Sequence, residues 1–308
     1  MTDRHQLVSR DGDHRVVFAD CADMREIPDG AVDLVCTSFP YGIGLDYSVE
    51  DPEPGVAGST PGQVEAPVMN WADYYAYLGR LKPRLRETWR TLAEGGYMAL
   101  NLAPIHTKAA YFEEPSSMLP TTERVAVYLM DELANARYRW RYIWVARRTR
   151  NASNGESITF LGSYGKHGDG VYGLPLRGQV LRMIEEILVF QKGPDAVISE
   201  ERDARRRHPM SRLTLDQWKD SFSQVWDFPG DPDPRHPAVF PIELPTRIIR
   251  AYSCYGDTVL DPFAGTGTTL LSAANLGRKS IGYEVERRFE PVIVDKTGLF
   301  PGPLEKEW

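Results

Sequence analysis

Apolar residues recur along this chain with two different periods. RVVFADC at 15–21 and VDLVCTS at 32–38 are short runs rich in branched residues, apolar enough for strands buried in a parallel sheet. A polar stretch with Pro28, Asp29 and Gly30 separates them, and the second run leads straight into TSFPYG at 37–42. That places TSFPYG at a strand's C-terminal edge, where open α/β sheets bind ligands. Trp71, Tyr74, Leu78, Leu81, Leu85 and Leu92 then recur at helical spacing, and Asn70 can cap the first turn with Asp73 three residues later. Gly95-Gly96 is expected to stop this helix before the strand YMALNLA at 97–103. Its polar face carries Arg80, Lys82, Arg84 and Arg86, which reads as a solvated face.

A helix around 123–135 leads into RYIWVAR at 141–147, with EEILVFQK at 185–192 as a partner strand. HPAVFPIELPTRIIRAYS at 236–253 gives a turn and a helix that tolerates Pro245 in its first turn and offers Leu244, Ile248, Ile249 and Tyr252 to the core. TVLDPFAGTGTTLLSAANLG then reads as strand, glycine turn and helix, and KSIGYEVE as a second strand. Three stretches lack periodicity. Residues 46–67 form a long loop of the kind that often covers a site, 149–178 have the composition of a flexible binding loop, and 194–234 suit substrate recognition.

At 308 residues and 42% hydrophobic content, the chain suits one large α/β domain with an appended recognition region. No run approaches eighteen apolar residues and the N-terminus lacks the pattern of a secretion signal, so a cytoplasmic, nucleoid-associated location without membrane contact is expected. Cys21, Cys36 and Cys254 are scattered without C-x-x-C spacing, which suggests neither a disulfide framework nor a metal site. The net charge of -7 argues against a nonspecific nucleic-acid coat, yet charge is unevenly placed. Residues 137–150 hold six arginines, Arg137, Arg139, Arg141, Arg147, Arg148 and Arg150, and no carboxylate; Arg205, Arg206 and Arg207 make a second cluster.

The glycine turn narrows the chemistry. Gly265 and Gly267 let backbone approach a ligand without a Cβ collision, and the helix beginning near Thr268 turns its free N–H groups toward the same cleft. No lysine follows the glycines, as a phosphate-cradling loop requires, and Leu270 stands where a dinucleotide fold wants a third glycine. Glu284, 19 residues beyond Gly265, lies where a ribose-binding acid belongs. Asp261, at the strand end, can face an amino group or cap the turn itself.

In TSFPYG, Pro40 fixes local geometry, Tyr41 offers an aromatic face, and Ser38 presents a hydroxyl beside the Phe39 carbonyl. A flat base could stack on Tyr41 while its exocyclic amine donates to those two acceptors. Such acceptors help a delocalised nitrogen to pyramidalise and aim its lone pair at an electrophilic methyl group. Taken alone, SFPY also fits a proline turn that ends a core strand.

Together the two motifs resemble those of the amino-methylating DNA methyltransferases that use S-adenosylmethionine. TSFPYG is similar to their catalytic [S/D/N]-P-P-[Y/F], VLDPFAGTGTT to their cofactor motif DPF-x-G-[S/T]-G-[T/S], and HPAVFPIELPTRII to the segment before it. The resemblance spans roughly residues 16–289. It implies a Rossmann-like α/β sheet in the circularly permuted order: a catalytic half over 1–148, a target-recognition region over 149–234 with a core strand near 186–191, and a cofactor half over 235–308. Ser38 and the Phe39 carbonyl would hold the amine, with Pro40 spacing them and Tyr41 stacking the extruded base. Phe263, Gly265, Gly267 and Thr268 would form the cofactor turn, Glu284 would take the ribose, Phe240 and Pro241 would line the amino-acid end, and Asp20 would approach the adenine. Phe39 departs from the family's first proline, so its ring must be accommodated.

Serine at the first catalytic position is associated in this family with N4 methylation of cytosine in duplex DNA, and aspartate with N6 methylation of adenine, which stays the alternative. Carbon-5 methylation needs a cysteine nucleophile, and none of the three follows a proline. An RNA or protein amide methyltransferase could use the same site, and a nonenzymatic binder is a further alternative. The arginines at 137–150 and 205–207 are the expected DNA contacts, and Trp140 and Trp144 are expected in the core. Homodimerisation is common in this branch, and a cognate restriction endonuclease sharing the target sequence is the other partner class implied.

Overall fold

The computed structural model describes residues 4–39, 71–102, 105–106, 118–147, 149–151, 157–159, 184–194, 200–230 and 240–302. The strands are β1 (His5–Val8), β2 (His14–Phe18), β3 (Val32–Ser38), β4 (Leu92–Leu102), β5 (Ile105–His106), β6 (Met118–Leu119), β7 (Ala136–Arg147), β8 (Thr149–Asn151), β9 (Ser157–Thr159), β10 (Ile184–Lys192), β11 (Val225–Pro229), β12 (Thr258–Asp261), β13 (Lys279–Glu284) and β14 (Phe300–Gly302). The helices are α1 (Trp71–Thr91), α2 (Thr121–Glu132), α3 (Glu200–Arg207), α4 (Leu215–Phe222), α5 (Glu243–Tyr252), α6 (Thr268–Asn275) and α7 (Glu290–Thr297).

Ten strands form one sheet in the order β11-β7-β10-β4-β3-β12-β13-β2-β1-β14. The central strands β4, β3, β12, β13 and β2 are parallel, while β10 runs against both β4 and β7. Sequence order and spatial order therefore disagree: β12 and β13, from the end of the chain, lie between β3 and β2, from its beginning. The first and last portions of the chain are interleaved in one sheet, and this brings the two motifs to neighbouring strand ends.

Alternation within strands builds a core on each face. In β3, Val35 joins α1 and α2 on one side while Leu34 and Cys36 join α5 on the other, and an irregularity between Val32 and Leu34 brings Val32 to the first side. Val17 of β2 faces the first of these cores, whereas Val16 and Phe18 pack with α6 and α7. Helix α1 buries Tyr74, Tyr77, Leu81, Leu85 and Trp89 at three- and four-residue spacing. Each such side chain contributes about 1.5–3 kcal/mol when taken fully from water. Lys192 Nζ donates to the carbonyls of Trp89 and Leu92, satisfying acceptors that the helix end leaves open.

Several local expectations are revised. Helix α1 gives way to β4 at Leu92, so Gly95 and Gly96 lie inside the strand rather than stopping the helix. Gly96 is needed for close approach, since a Cβ there would come within 2.9 Å of the Asp33 carbonyl. Trp71 is exposed, whereas Asn70 lies outside the described residues. Trp144 is in the core as expected, but Trp140 is 57% exposed. The stretch after 194 contains α3, α4 and the sheet strand β11, and Trp226 of β11 is fully buried against Tyr142 at 4.8 Å. Eight-residue helices such as α3, with no buried residue, give little period to read. Most of 149–178 and all of 46–67 lie outside the described residues. Among the described residues, no helix is long and apolar enough to cross a membrane.

Candidate active site

The two motifs meet because β3 and β12 are paired in parallel and end side by side. Thr37 Oγ1 donates to Asp261 Oδ1 at 2.6 Å, and the Phe263 N–H donates to the same oxygen at 3.1 Å. Asp261 thus ties the end of the catalytic strand to the beginning of the glycine turn. Burial pushes its carboxyl up to about 6, opposed by the nearby hydroxyls of Thr269 and Thr37 and by the Phe263 N–H. Its Oδ2 has no well-formed hydrogen bond among the described residues.

Phe39 supplies the second link. Its ring is 2% exposed and meets Phe263 edge to face at 5.5 Å between centroids. The ring that replaces the family's first proline is therefore accommodated beneath the site, against the cofactor turn. Ser38 closes β3 beside Asn101 of β4, and Asn101 Nδ2 reaches Ser38 Oγ at 3.5 Å. Pro40 and Tyr41, the remaining catalytic candidates, lie outside the described residues.

The turn has the geometry its glycines allow. Gly265 and Gly267 have φ of 52° and 79°, in the left-handed region that disfavours other residues. A Cβ on Gly267 would also stand 3.0 Å from Thr297 Cγ2. Gly282 of β13 lets the turn lie flat on the sheet, because a Cβ there would come to 2.8 Å from Ala264 Cβ. Thr268 opens α6 and is buried, and Lys296 Nζ donates to its hydroxyl at 2.7 Å and to that of Thr266 at 3.1 Å.

Glu284 ends β13 beside the turn. Its Oε2 accepts the Gly265 N–H and its Oε1 the Glu286 N–H, both at 2.8 Å, and burial pushes the carboxyl up to about 7 against those bonds. Each oxygen keeps acceptor capacity for a further donor. Asp20 lies two residues beyond β2 rather than within it, exposed, and paired with Arg84 Nη2 at 2.6 Å. Arg84 is thus paired with Asp20 and is not merely a solvated charge. Phe240 is partly buried and Pro241 buried ahead of α5. A buried carboxylate with acceptor capacity left beside a glycine turn, a second carboxylate at Asp20, and a buried Asp261 Oδ2 without a well-formed hydrogen bond among the described residues are compatible with an adenosyl group carrying an amino acid.

The proposed DNA-contacting arginines divide. Pairing across β3, β4, β10 and β7 puts Tyr142 level with Ser38. Arg137 lies five residues before Tyr142, roughly 16 Å toward the opposite sheet edge at about 3.3 Å per residue. Arg139 lies on the same side, and Arg141 is paired with Glu186 at 3.0 Å. Arg147 continues toward the catalytic edge; its side chain and those of Arg148 and Arg150 lie outside the described residues. Arg205 is a correction: it pairs at 2.9 Å with fully buried Asp257, ahead of β12, and so serves the fold at the far edge from Ser38. Arg207 pairs with Asp203 of the same helix, and with Arg206 it belongs to the helix that Arg205 anchors.

Cys21 and Cys36 are buried, and burial pushes both thiols up, away from the thiolate that carbon-5 chemistry needs. No cluster of three or more His, Cys, Asp or Glu able to hold a metal occurs among the described residues. The Thr37–Asp261 bond and the contact of Asn101 with Ser38 were not read from the sequence, although Asn101 is a polar residue inside an apolar strand.

Residues 32–295 match the DNA methylase family of N6 and N4 methyltransferases. The chain is 29% identical over 306 residues to the Type II methyltransferase M.MjaI of Methanocaldococcus jannaschii, covering 93% of this chain and 91% of the relative. It is 32% identical over 294 residues to the Type II methyltransferase M.MthZI of Methanothermobacter thermautotrophicus, covering 91% and 75%. A DNA modification methylase homologue from Thermus thermophilus, TTHA0409, solved in complex with S-adenosyl-L-methionine, superposes with a TM-score of 0.63 at 27% identity, covering 92% of this chain and 90% of that one. Fold, site geometry and these similarities agree, and the chain belongs to the N6/N4 family of S-adenosylmethionine-dependent DNA methyltransferases.

Proposed function

We propose that this methyltransferase transfers the methyl group of S-adenosylmethionine to the exocyclic N4 amine of cytosine in duplex DNA, with the target base turned out of the helix. The observation that carries this reading is the joining of Ser38 and the glycine turn at adjacent strand ends through the Thr37–Asp261 bond and the Phe39–Phe263 contact. An amine acceptor and a cofactor turn held on rigid strands meet the positioning demand of direct transfer.

Glu284 would hold the ribose hydroxyls, Asp20 would approach the adenine, and Phe240 and Pro241 would line the amino-acid end. The bound donor supplies an electrophilic methyl group on a sulfonium. Ser38 Oγ and the Phe39 carbonyl accept the two amine N–H bonds, which favours a pyramidal nitrogen and steadies the charge that develops as it is methylated. Tyr41 stacks the base by its place in the motif. The amine needs no prior deprotonation, and its proton leaves after transfer.

The parts of residues 149–234 outside the sheet strands β10 and β11 and the anchored helix α3 act in target recognition, and Arg147, Arg148 and Arg150 are the proposed phosphate contacts. Phosphate contacts of this kind position the duplex without reading its sequence. Ser38→Ala and Tyr41→Ala are expected to cut methyl transfer by about 100-fold or more while leaving cofactor affinity intact. Wild-type transfer rates in both variants would remove the amine-holding role.

A further inference from the structure

Asn101 lies across from Ser38 in the β3–β4 pairing and is fully buried. A buried amide left unpaired costs about 1–3 kcal/mol, so the partners that hold it define its role. Its Nδ2 donates to Glu185 Oε2 at 2.7 Å and reaches Ser38 Oγ at 3.5 Å, while its backbone carbonyl accepts the Phe39 N–H at 3.4 Å. Asn101 therefore touches both residues proposed to hold the substrate amine. At 3.5 Å its contact with Ser38 is at the outer limit of a hydrogen bond, as catalytic contacts commonly are before substrate arrives.

Glu185 decides how the amide faces. A carboxylate accepts only, so the NH2 side of Asn101 must turn toward it, and the second hydrogen on that nitrogen is left pointing to Ser38. The next carboxylate, Glu186, is taken up by Arg141, so the two glutamates at the start of β10 serve different partners.

We infer that Asn101 and Glu185 are positioning residues for methyl transfer, forming a carboxylate–amide–hydroxyl chain that holds the Ser38 oxygen as an acceptor aimed at the substrate amine. The inference rests on the reading of Ser38 as the amine-holding residue. A serine hydroxyl has one hydrogen and two lone pairs. With the amide N–H on one lone pair, Ser38 does not donate toward Asn101, and its oxygen is kept an acceptor. In this chain Glu185 reaches Ser38 through Asn101.

The test is single-turnover transfer of radiolabelled methyl from S-adenosylmethionine to a pool of unmethylated duplex fragments covering all short sequence contexts. It compares wild type, Asn101→Ala, Glu185→Ala, Glu185→Gln and the Asn101→Ala/Glu185→Ala double variant. Asn101→Ala and Glu185→Ala are each expected to slow the step by about 10- to 100-fold, with cofactor affinity changed less than about twofold. The double variant should be no slower than Asn101→Ala, because the two residues act in series. Glu185→Gln, whose amide oxygen still accepts from Asn101, should recover most of the loss, and this comparison stands even where Asn101→Ala does not fold. Multiplicative losses in the double variant, no recovery in Glu185→Gln, or a loss confined to cofactor binding would overturn the inference. Wild-type transfer with unaffected variants sinks this inference alone; no transfer by wild type to any fragment sinks the reading of Ser38 as well.

Discussion

Thr37 and Asp261, 224 positions apart in the chain, are joined by a 2.6 Å hydrogen bond at the adjoining ends of β3 and β12. The bond is buried and partly satisfies a carboxylate that burial destabilises in its charged form. Removing the hydroxyl with Thr37→Val should cost about 1–3 kcal/mol of stability in urea unfolding near neutral pH, and should push the Asp261 carboxyl above its value of about 6. Thr37→Ser should keep most of the stability. Equal stability of all three proteins would show that the bond does not join the halves of the site.

If Glu284 takes the ribose as proposed, cofactor affinity should depend on pH. In the free protein its carboxyl is pushed from 4.5 to about 7 by burial, and ribose hydroxyls donating to it would favour the charged form. Binding therefore releases a proton, and affinity for S-adenosylmethionine should fall as pH drops below about 7, by at most about tenfold per pH unit. The stability sign is separate. Between 4.5 and about 7 the folded protein binds this proton more tightly than the unfolded chain, so the group's contribution declines as pH rises. Glu284→Gln should weaken binding and flatten both profiles. Calorimetric titration checks the first, and a pH-independent wild-type affinity across this range would contradict it.

Phe39 should behave as a packing residue beneath the site. Phe39→Ala removes a ring that is 2% exposed and packed on Phe263, a change that costs about 3–5 kcal/mol in comparable cores. Phe39→Pro restores the family's residue but loses the ring and the N–H bond to Asn101, so it should also destabilise, while Phe39→Leu keeps more volume. If Phe39→Pro leaves melting temperature, kinetics and base preference unchanged, the position does not tune the pocket.

The arginines predict two different outcomes. Neutralising Arg147, Arg148 and Arg150 together should make DNA binding less salt-dependent, lowering the slope by about 0.9 for each phosphate that is no longer neutralised. Arg205→Gln should instead lower stability by about 1–3 kcal/mol, since it leaves buried Asp257 with the Cys254 N–H but without its guanidinium partner, and should leave the salt slope alone. A smaller slope in Arg205→Gln without loss of stability would reverse the assignment.

What the sequence made legible follows from where the physics is local. The turn between β12 and α6 has Gly265 and Gly267 at positive φ, and α5 carries Pro245 in its first turn with Leu244, Ile248, Ile249 and Tyr252 buried, as its pattern foretold. Thr37 and Asn101 were illegible because their roles depend on which strands become neighbours, and β12 enters between β3 and β13 only through long-range pairing. Arg205 was misread for the same reason: a basic run near a recognition region suggests phosphate, and only the packing of α3 reveals Asp257 as its partner. Trp140 and Trp144 lie on one period of β7, so period alone could not show that the strand's start is exposed while its middle is covered.

The central claim is that Ser38 and the turn at Gly265 and Gly267 together methylate an exocyclic amine, that of cytosine. Mass spectrometry of nucleosides from unmethylated duplex DNA incubated with the protein and S-adenosylmethionine tests it directly. N4-methylcytosine, lost in Ser38→Ala, is the predicted product; N6-methyladenine alone, or 5-methylcytosine, would contradict it.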